Sequence, residues 1–183
     1  MKFRMQILGA DRQSIRKLTG KTLLFLREKG VRVIANPEAQ VVEFEAEDPY
    51  VELKARDVLQ ALLLGPTDAK FQHETAFLLF SEDFVLKIVD LSEHLRTKDG
   101  LDRILARVIG AGGSTKKVME QITECSITVT GDKIMVIGPV EGVELASEAL
   151  SQLIAGVPHK KVYRLLEAGR RKVKEAKMRL WRD

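Results

Sequence analysis

The sequence of 183 residues contains one cysteine, few aromatic residues and no long apolar run. Because a disulfide needs two thiols, the single Cys125 excludes a disulfide-stapled scaffold and fits a reducing compartment. Apolar runs such as residues 76–80 are far shorter than the ~18 residues that a membrane-spanning helix needs. Residues 1–12 lack the apolar core of a secretory signal. We therefore expect a cytoplasmic protein with no membrane association.

Signatures of catalysis and of metal binding are also missing. The three histidines, His73, His94 and His159, are far apart in the sequence, and none belongs to an H-x-E or H-E-x-x-H motif. The sequence has no G-x-S-x-G nucleophile elbow. Cys125 directly precedes a predicted strand, where a buried structural thiol is the expected role. The sequence thus predicts a protein that is not an enzyme and that has no metal or cofactor.

The net charge of +4 is the sum of strong patches of opposite sign. Residues 1–32 carry nine basic and two acidic side chains, whereas residues 33–102 carry six basic and fifteen acidic ones. Residues 103–157 are close to neutral, and residues 158–183 carry ten basic and three acidic side chains. The two ends of the chain are therefore each at +7, around a middle segment at −9.

The second half of the sequence has a clear order of predicted elements. A β-branched strand is followed by an amphipathic helix, a glycine-rich turn, a second helix, a two-strand hairpin and a long helix. The Gly131–Asp132 pair predicts the tight hairpin turn, and Pro139 predicts the start of the long helix. The predicted ranges are residues 84–91, 101–109, 110–113, 114–122, 126–130, 133–137 and 140–155. This order is β-α-α-β-β-α.

The first half repeats the order, with strands at 2–8, 31–35 and 41–45 and helices at 11–18, 21–29 and 50–64. When the two long helices are aligned, Ala55 matches Ala146 and Gly65 matches Gly156, which indicates an internal duplication. The first half has no intact counterpart of the glycine-rich turn. The best match to that turn is residues 17–20, which retain one of its three glycines, and residues 9–12 are a weaker match. We predict repeats at 1–65 and 82–157, a linker helix at 66–81 and a basic helix, with a possible break at Gly169, at 158–183.

The glycine turn of the second repeat has the properties of a phosphate-binding site. Consecutive backbone N–H groups at a helix start, together with the helix dipole, favour an anion. Arg103 and Arg107 precede the turn, Lys116 and Lys117 follow it, and no acidic residue occurs between 103 and 119. Neither the mononucleotide P-loop pattern nor the dinucleotide-binding pattern fits. A chain of phosphates, meaning nucleic acid, is the better ligand, and the alternative is a tight connection with no ligand.

Residues 107–117, RVIGAGGSTKK, followed by the hairpin and long helix, resemble the core of a type I KH domain with its G-x-x-G loop. Such loops clamp about four nucleotides of single-stranded RNA. The two copies, the strand FVLKIVDL and the segment PHKKVY before a basic tail resemble archaeal-type KH-repeat proteins that assist assembly of the small ribosomal subunit. The fold class implied is α+β, with two tandem type I KH-like repeats, a linker helix and a basic C-terminal helix.

The resemblance implies binding to the 3′ region of small-subunit ribosomal RNA and help in its maturation and in ribosome assembly. It also implies two protein partners, the endonuclease that trims this end and the α subunit of translation initiation factor two. The implied RNA contacts are Arg103, Arg107, Ile109, Gly110, Ala111, Gly112, Gly113, Thr115, Lys116, Lys117 and Ile127. In a KH domain the bases lie in a groove between the glycine turn and the hairpin. Val118 and Val129 also border this groove, but burial in the core is the expected role for both.

Two features depart from this simple picture. Ala111 stands where the family commonly has a polar residue. Phosphate binding at the turn would therefore depend more on Lys116 and Lys117. The first repeat carries an acidic strip, which is either a solvated face or a surface for a basic partner. The strip consists of Glu43, Glu45, Glu47, Asp48 and Glu52. Two alternatives stay open: a KH protein that binds other RNA or single-stranded DNA, and a protein-interaction scaffold.

Overall fold

The structure, a computed structural model, describes residues 3–8, 12–92 and 98–180. The chain divides into two compact units, Met1–Glu82 and Asp83–Asp183. Within the described ranges, no helix combines the length and the apolar content that crossing a membrane requires.

The described residues of the first unit form three strands and four helices in the order β-α-α-β-β-α-α. The strands form an antiparallel sheet in the order β1-β3-β2, so the last strand in sequence lies in the middle. Their bounds are β1 Phe3–Leu8, α1 Arg12–Arg16, α2 Gly20–Glu28, β2 Val31–Asn36, β3 Val41–Ala46, α3 Pro49–Leu64 and α4 Ala69–Leu79. Because β3 is paired on both sides, Val42 and Phe44 can be withdrawn completely from solvent.

Local sequence explains where the helices of this unit begin. The Asp48 carboxylate accepts hydrogen bonds from the N–H groups of Tyr50 and Val51, at 2.8 and 3.1 Å, and so caps α3. Asp68 caps α4 in the same way through the N–H of Phe71, at 2.8 Å. The helix predicted as a linker is therefore α4, which packs against α2 and α3 within the first unit.

The second unit repeats the strand order with a sheet β4-β6-β5. Its elements are β4 Phe84–Asp90, α5 Lys98–Ile109, α6 Ser114–Thr123, β5 Ser126–Thr130, β6 Lys133–Pro139, α7 Val140–Ile154 and α8 His159–Leu180. The central strand β6 is buried from Ile134 to Gly138, and its hairpin with β5 turns on two residues, as predicted. Helices α5, α6 and α7 cover a core that includes Val108, Met119 and Leu150.

Helix α8 begins where the sequence predicts a basic C-terminal helix. It packs against α7 and α6 through Val162, Leu166 and Val173, all of which are buried. The predicted break at Gly169 is wrong, because the helix continues through this residue. A Cβ atom there would lie 2.5 Å from Leu145 Cδ1, so the glycine allows α8 to approach α7 closely.

The only cysteine is buried, as predicted for a structural thiol. Burial raises the pKa of the Cys125 thiol to about 11, so at neutral pH the group is protonated and a poor nucleophile. Its sulfur fills the space beside Gly138 and Gly142, where the end of α6, the start of β5 and the start of α7 meet.

Replacing Gly142 by Ala tests this close packing. The new Cβ would lie 2.1 Å from the Thr123 carbonyl oxygen, a backbone atom that cannot move aside, so we expect the free energy of unfolding to fall by about 2 kcal/mol or more. Urea titration followed by circular dichroism measures the change. Gly20→Ala is the matched control, since no atom lies within 4 Å of that Cβ position. Equal stability of Gly142→Ala and the wild type would contradict the packing described.

Candidate nucleic-acid interface

The turn between α5 and α6 depends on backbone conformations that glycine allows. Gly110, Gly112 and Gly113 have φ angles of 75°, 58° and 78°. At Gly110 a side chain is excluded twice, since a Cβ would also lie 2.3 Å from Thr115 Oγ1 and 2.7 Å from Thr115 N. Gly112, by contrast, has no atom within 4 Å of its Cβ position. The turn is thus tightly packed where it leaves α5 and open at its tip.

The tip of the turn presents backbone to solvent. Ala111, Gly112 and Ser114 are exposed, and no side chain of the described residues caps the N-terminus of α6. The N–H groups of Gly113 and Ser114 bond within the turn, to the carbonyls of Gly110 and Ala111. The start of α6 carries the positive end of the helix dipole. This arrangement suits an anion.

The four predicted cations around the turn differ in how free they are. Arg103 and Lys117 are exposed. Lys116 forms an ion pair with Glu120, with 3.0 Å between Nζ and Oε1. Sequence reasoning overlooked this carboxylate, although the i,i+4 spacing on a helix predicts such a pair. The exposed positive charges on either side of the turn are therefore those of Arg103 and Lys117.

Arg107 has a structural role that sequence reasoning missed. Its Nε donates to the Leu153 carbonyl at 3.1 Å, and its Nη2 donates to the Val157 carbonyl at 2.6 Å. The Leu153 carbonyl, in the last turn of α7, also accepts from the backbone N of Gly156 at 3.1 Å, so Arg107 adds a second donor there, whereas for the Val157 carbonyl in the next segment Arg107 is the donor. Two of the five N–H donors of Arg107 are therefore committed to holding the end of α7. Its predicted contact with RNA stays a prediction.

Helix α8 also supports the turn from behind. Thr115 Oγ1 lies 3.1 Å from the Tyr163 hydroxyl, and His159 Nε2 lies 2.9 Å from the Arg107 carbonyl oxygen. Thr115 is only 2% exposed as a whole residue, so its hydroxyl is not available to a ligand. The sequence separation of 48 residues between Thr115 and Tyr163 left no local signal from which to predict the contact.

The apolar residues predicted for the groove differ in burial. Ile127 is only 1% exposed as a whole residue, so its side chain belongs to the core. Ile109, Val118 and Val129 are half-buried, and Val118 and Val129 pack partly against the core. These three side chains leave some apolar surface next to the turn.

The corresponding loop of the first unit, residues 17–20, has two of its backbone groups paired with a side chain of α4. Gln72 of α4, which is fully buried, accepts a hydrogen bond from Thr19 N and donates one to the Lys17 carbonyl, both at 2.9 Å. The Thr19 side chain caps the start of α2 by accepting from Thr22 N. Residues 9–11, the weaker match for a turn, lie outside the described residues. In loop 17–20 the Thr19 N–H is thus occupied, and the positive φ angles of the second unit are missing.

Other predicted features of the chain are distributed as follows. In the acidic strip Glu43, Glu45 and Glu52 are half-buried and Glu47 and Asp48 are exposed. His94 lies outside the described residues, and within the part of the chain that the structure describes, no cluster of histidine, cysteine or carboxylate side chains could hold a metal ion.

Comparison with known proteins finds a family match over the region that contains the glycine turn. The family model of the second KH domain of PNO1, a eukaryotic-type (type I) KH domain, matches residues 85–171. A KH domain-containing protein of Methanocaldococcus jannaschii is 31% identical over 159 residues, which cover 85% of this chain and 68% of that protein. The pre-rRNA-processing protein pno1 of Schizosaccharomyces pombe is 29% identical over 152 residues, which cover 79% of this chain and 61% of that protein.

A solved structure extends the similarity to nearly the whole chain. A chain of the crystallised a/eIF2α–aDim2p–rRNA complex from Pyrococcus horikoshii OT3 superposes with a TM-score of 0.80 and 27% identity, covering 94% of this chain and 96% of that one. Against several other curated relatives named PNO1, the chain spans only about half of their length.

The structural role of Arg107 can be separated from a role in binding. Arg107→Ala removes the donor of the Val157 carbonyl and one donor of the Leu153 carbonyl, which keeps the Gly156 N–H, so we expect the free energy of unfolding to fall by about 1–2 kcal/mol. Arg103→Ala, which removes an exposed guanidinium from the same helix, should change it by less than about 0.5 kcal/mol. Urea titration of both variants provides the comparison, and equal stabilities would contradict the capping role.

Proposed function

The chain belongs to the PNO1-type KH-domain family, and from this premise we propose that it binds single-stranded RNA at the turn formed by Gly110–Gly113. The observation that supports this most directly is the exposed tip of the turn, which has positive φ angles, an uncapped helix start and cations on both sides. The backbone N–H groups bind successive phosphates. Arg103 and Lys117 neutralise the phosphates next to them, and Arg107 and Lys116 contribute where their other partners allow.

The RNA proposed is the 3′ region of small-subunit ribosomal RNA, and the role is to assist its maturation and ribosome assembly. This assignment rests on the pre-rRNA-processing relative and on the rRNA in the Pyrococcus horikoshii complex. Helix α8 extends the path of the RNA, since its exposed side chains include Lys160, Lys161 and Arg164. The location is the cytoplasm.

The first unit is proposed to be a degenerate KH-like repeat, so that the chain contains two in tandem. Both units have a β-α-α-β-β-α order and a sheet whose third strand is central. In the first unit Gln72 occupies the backbone groups of the loop that would otherwise clamp RNA. The domains are then 1–65 with the added helix at 66–81, and 82–157 with the basic helix at 158–183.

Two protein partners are part of the proposal. One is the α subunit of translation initiation factor two, on the grounds of the a/eIF2α–aDim2p–rRNA complex. The other is the endonuclease that trims the 3′ end, which supplies the cleavage chemistry. The relatives are named as RNA-binding and rRNA-processing proteins and not as enzymes. The present chain therefore positions the RNA and does not cleave it.

A matched pair of double variants tests the clamp. In Ala111→Asp/Gly112→Asp two carboxylates stand where phosphate would bind, and we expect affinity for single-stranded RNA to fall at least ~100-fold, because each like-charge contact costs several kcal/mol. Ala111→Asn/Gly112→Asn has nearly the same shape without the charge, and Asn, like Asp, tolerates the positive φ of residue 112. Its affinity should stay within about fivefold of the wild type.

Fluorescence anisotropy with a labelled RNA measures both affinities, and circular dichroism shows that both variants are folded. Equal affinities of the Asp and Asn variants would show that the phosphates do not lie at the turn.

A further inference from the structure

Glu120 occupies a position between the two elements that flank the turn on the groove side. It lies on α6, one helical turn after Lys116, and its Oε1 atom is 2.9 Å from the backbone N of Ile127 on β5. The same oxygen is 3.0 Å from Lys116 Nζ. Its second oxygen, Oε2, makes no hydrogen bond or ion pair with the described residues. The side chain is 26% exposed, so a ligand in the groove can reach it.

The bond to Ile127 uses a free edge of the sheet. Among the strands that the structure describes, β5 pairs with β6 alone, so the N–H groups on its other side have no strand partner there. Glu120 accepts from one of these groups and thereby joins α6 to β5. It also neutralises a lysine whose position beside the turn suits a phosphate. A carboxylate here weakens phosphate binding, so a purely electrostatic clamp would be stronger without it.

We propose that Glu120 is a specificity-determining residue that accepts the exocyclic amino group of an RNA base and disfavours uracil at that point of the groove. This inference rests on the proposed RNA-binding function. An ionised carboxylate can only accept hydrogen bonds. Cytosine and adenine carry an amino donor at the base edge, whereas uracil carries an acceptor oxygen at the equivalent position of its edge.

The blocked Ile127 N–H acts in the same direction. A free N–H at the edge of β5 would donate to the O4 atom of uracil, but Glu120 already accepts from it. The groove therefore presents a negatively charged acceptor where a bare strand edge would present a donor. Both effects favour bases with an amino group.

Glu120→Gln is the decisive variant. Glutamine has the same length and keeps a carbonyl oxygen for Ile127, but it loses the charge and gains an NH₂ donor that uracil can accept. The probes are synthetic oligoribonucleotides of about eight nucleotides: one made of uridine alone, and a series with a single cytidine or adenosine at each position in turn. We expect the wild type to prefer an amino-bearing base at one position by about tenfold, and Glu120→Gln to lose this preference.

Two further measurements separate base recognition from a bracing role. Freeing Lys116 should raise the affinity of Glu120→Gln for the uridine oligomer and steepen its logarithmic salt dependence by about 0.7, the contribution of one extra phosphate on a single strand. Glu148→Gln, the same change at an exposed site on α7, should leave both the base preference and the salt dependence as in the wild type.

The outcomes are distinguishable. An unchanged base preference in Glu120→Gln overturns the inference and leaves the proposed function standing. A uniform loss of affinity for all oligomers, with the preference intact, shows that Glu120 only braces α6 against β5 and also overturns it. Failure of the wild type to bind any oligomer overturns the proposed function and the inference with it.

Discussion

The contact between Gly110 and Thr115 sets the geometry on which the second unit depends. With no Cβ atom, the chain leaves α5 at a positive φ angle and passes directly over Thr115, whose hydroxyl lies beside Tyr163 of α8. The exit from one helix, the start of the next and the C-terminal helix are thereby held at one point. The exposed tip of the turn projects from a rigid base, so its N–H groups keep their directions before any ligand arrives. Preorganisation of this kind reduces the entropy cost of binding.

The loop at residues 17–20 and the turn at residues 110–113 occupy the same place in the β-α-α-β-β-α order but differ in their support. In the second unit the tip of the turn between the helices stays exposed, and the supporting contacts come from α8, through Tyr163 and His159. In the first unit the support comes from Gln72, whose amide pairs directly with the loop backbone. A buried amide in this position occupies the Thr19 N–H, a donor that an anion would need. The basic charge of residues 1–32 thus lies on a unit whose loop lacks the second unit's geometry.

Much of the fold follows from local sequence. The apolar period, the glycine and proline positions and the Gly131–Asp132 pair predict the strands and helices to within a few residues, because these signals act within one or two turns of the chain. The glycine turn could be predicted equally well, since three glycines in four positions indicate a backbone turn that other residues cannot adopt. The predicted helix break at Gly169 was wrong. This glycine leaves space for the side chain of Leu145, which is distant in the sequence and gives no local signal.

The site was only partly predictable, for the same reason. Charge alone assigned Arg107 and Lys116 to phosphate, but the structure gives each a protein partner, and for Arg107 those partners are backbone carbonyls about 50 residues away. The side chains of Thr115 and Ile127 are buried. The apolar periodicity of the sequence could not distinguish full burial from half-burial beside a groove. Gln72 carried no signal, because a polar residue on a helix is usually solvated. Long-range hydrogen bonds therefore account for most of the differences.

The most direct measurement is the change in backbone amide chemical shifts when single-stranded RNA is added to the isotopically labelled protein. The account predicts the largest changes at residues 110–117 and only small ones at residues 17–20, where Gln72 already holds the backbone. Changes centred on residues 17–20, or on the acidic strip with residues 110–117 unaffected, would contradict it.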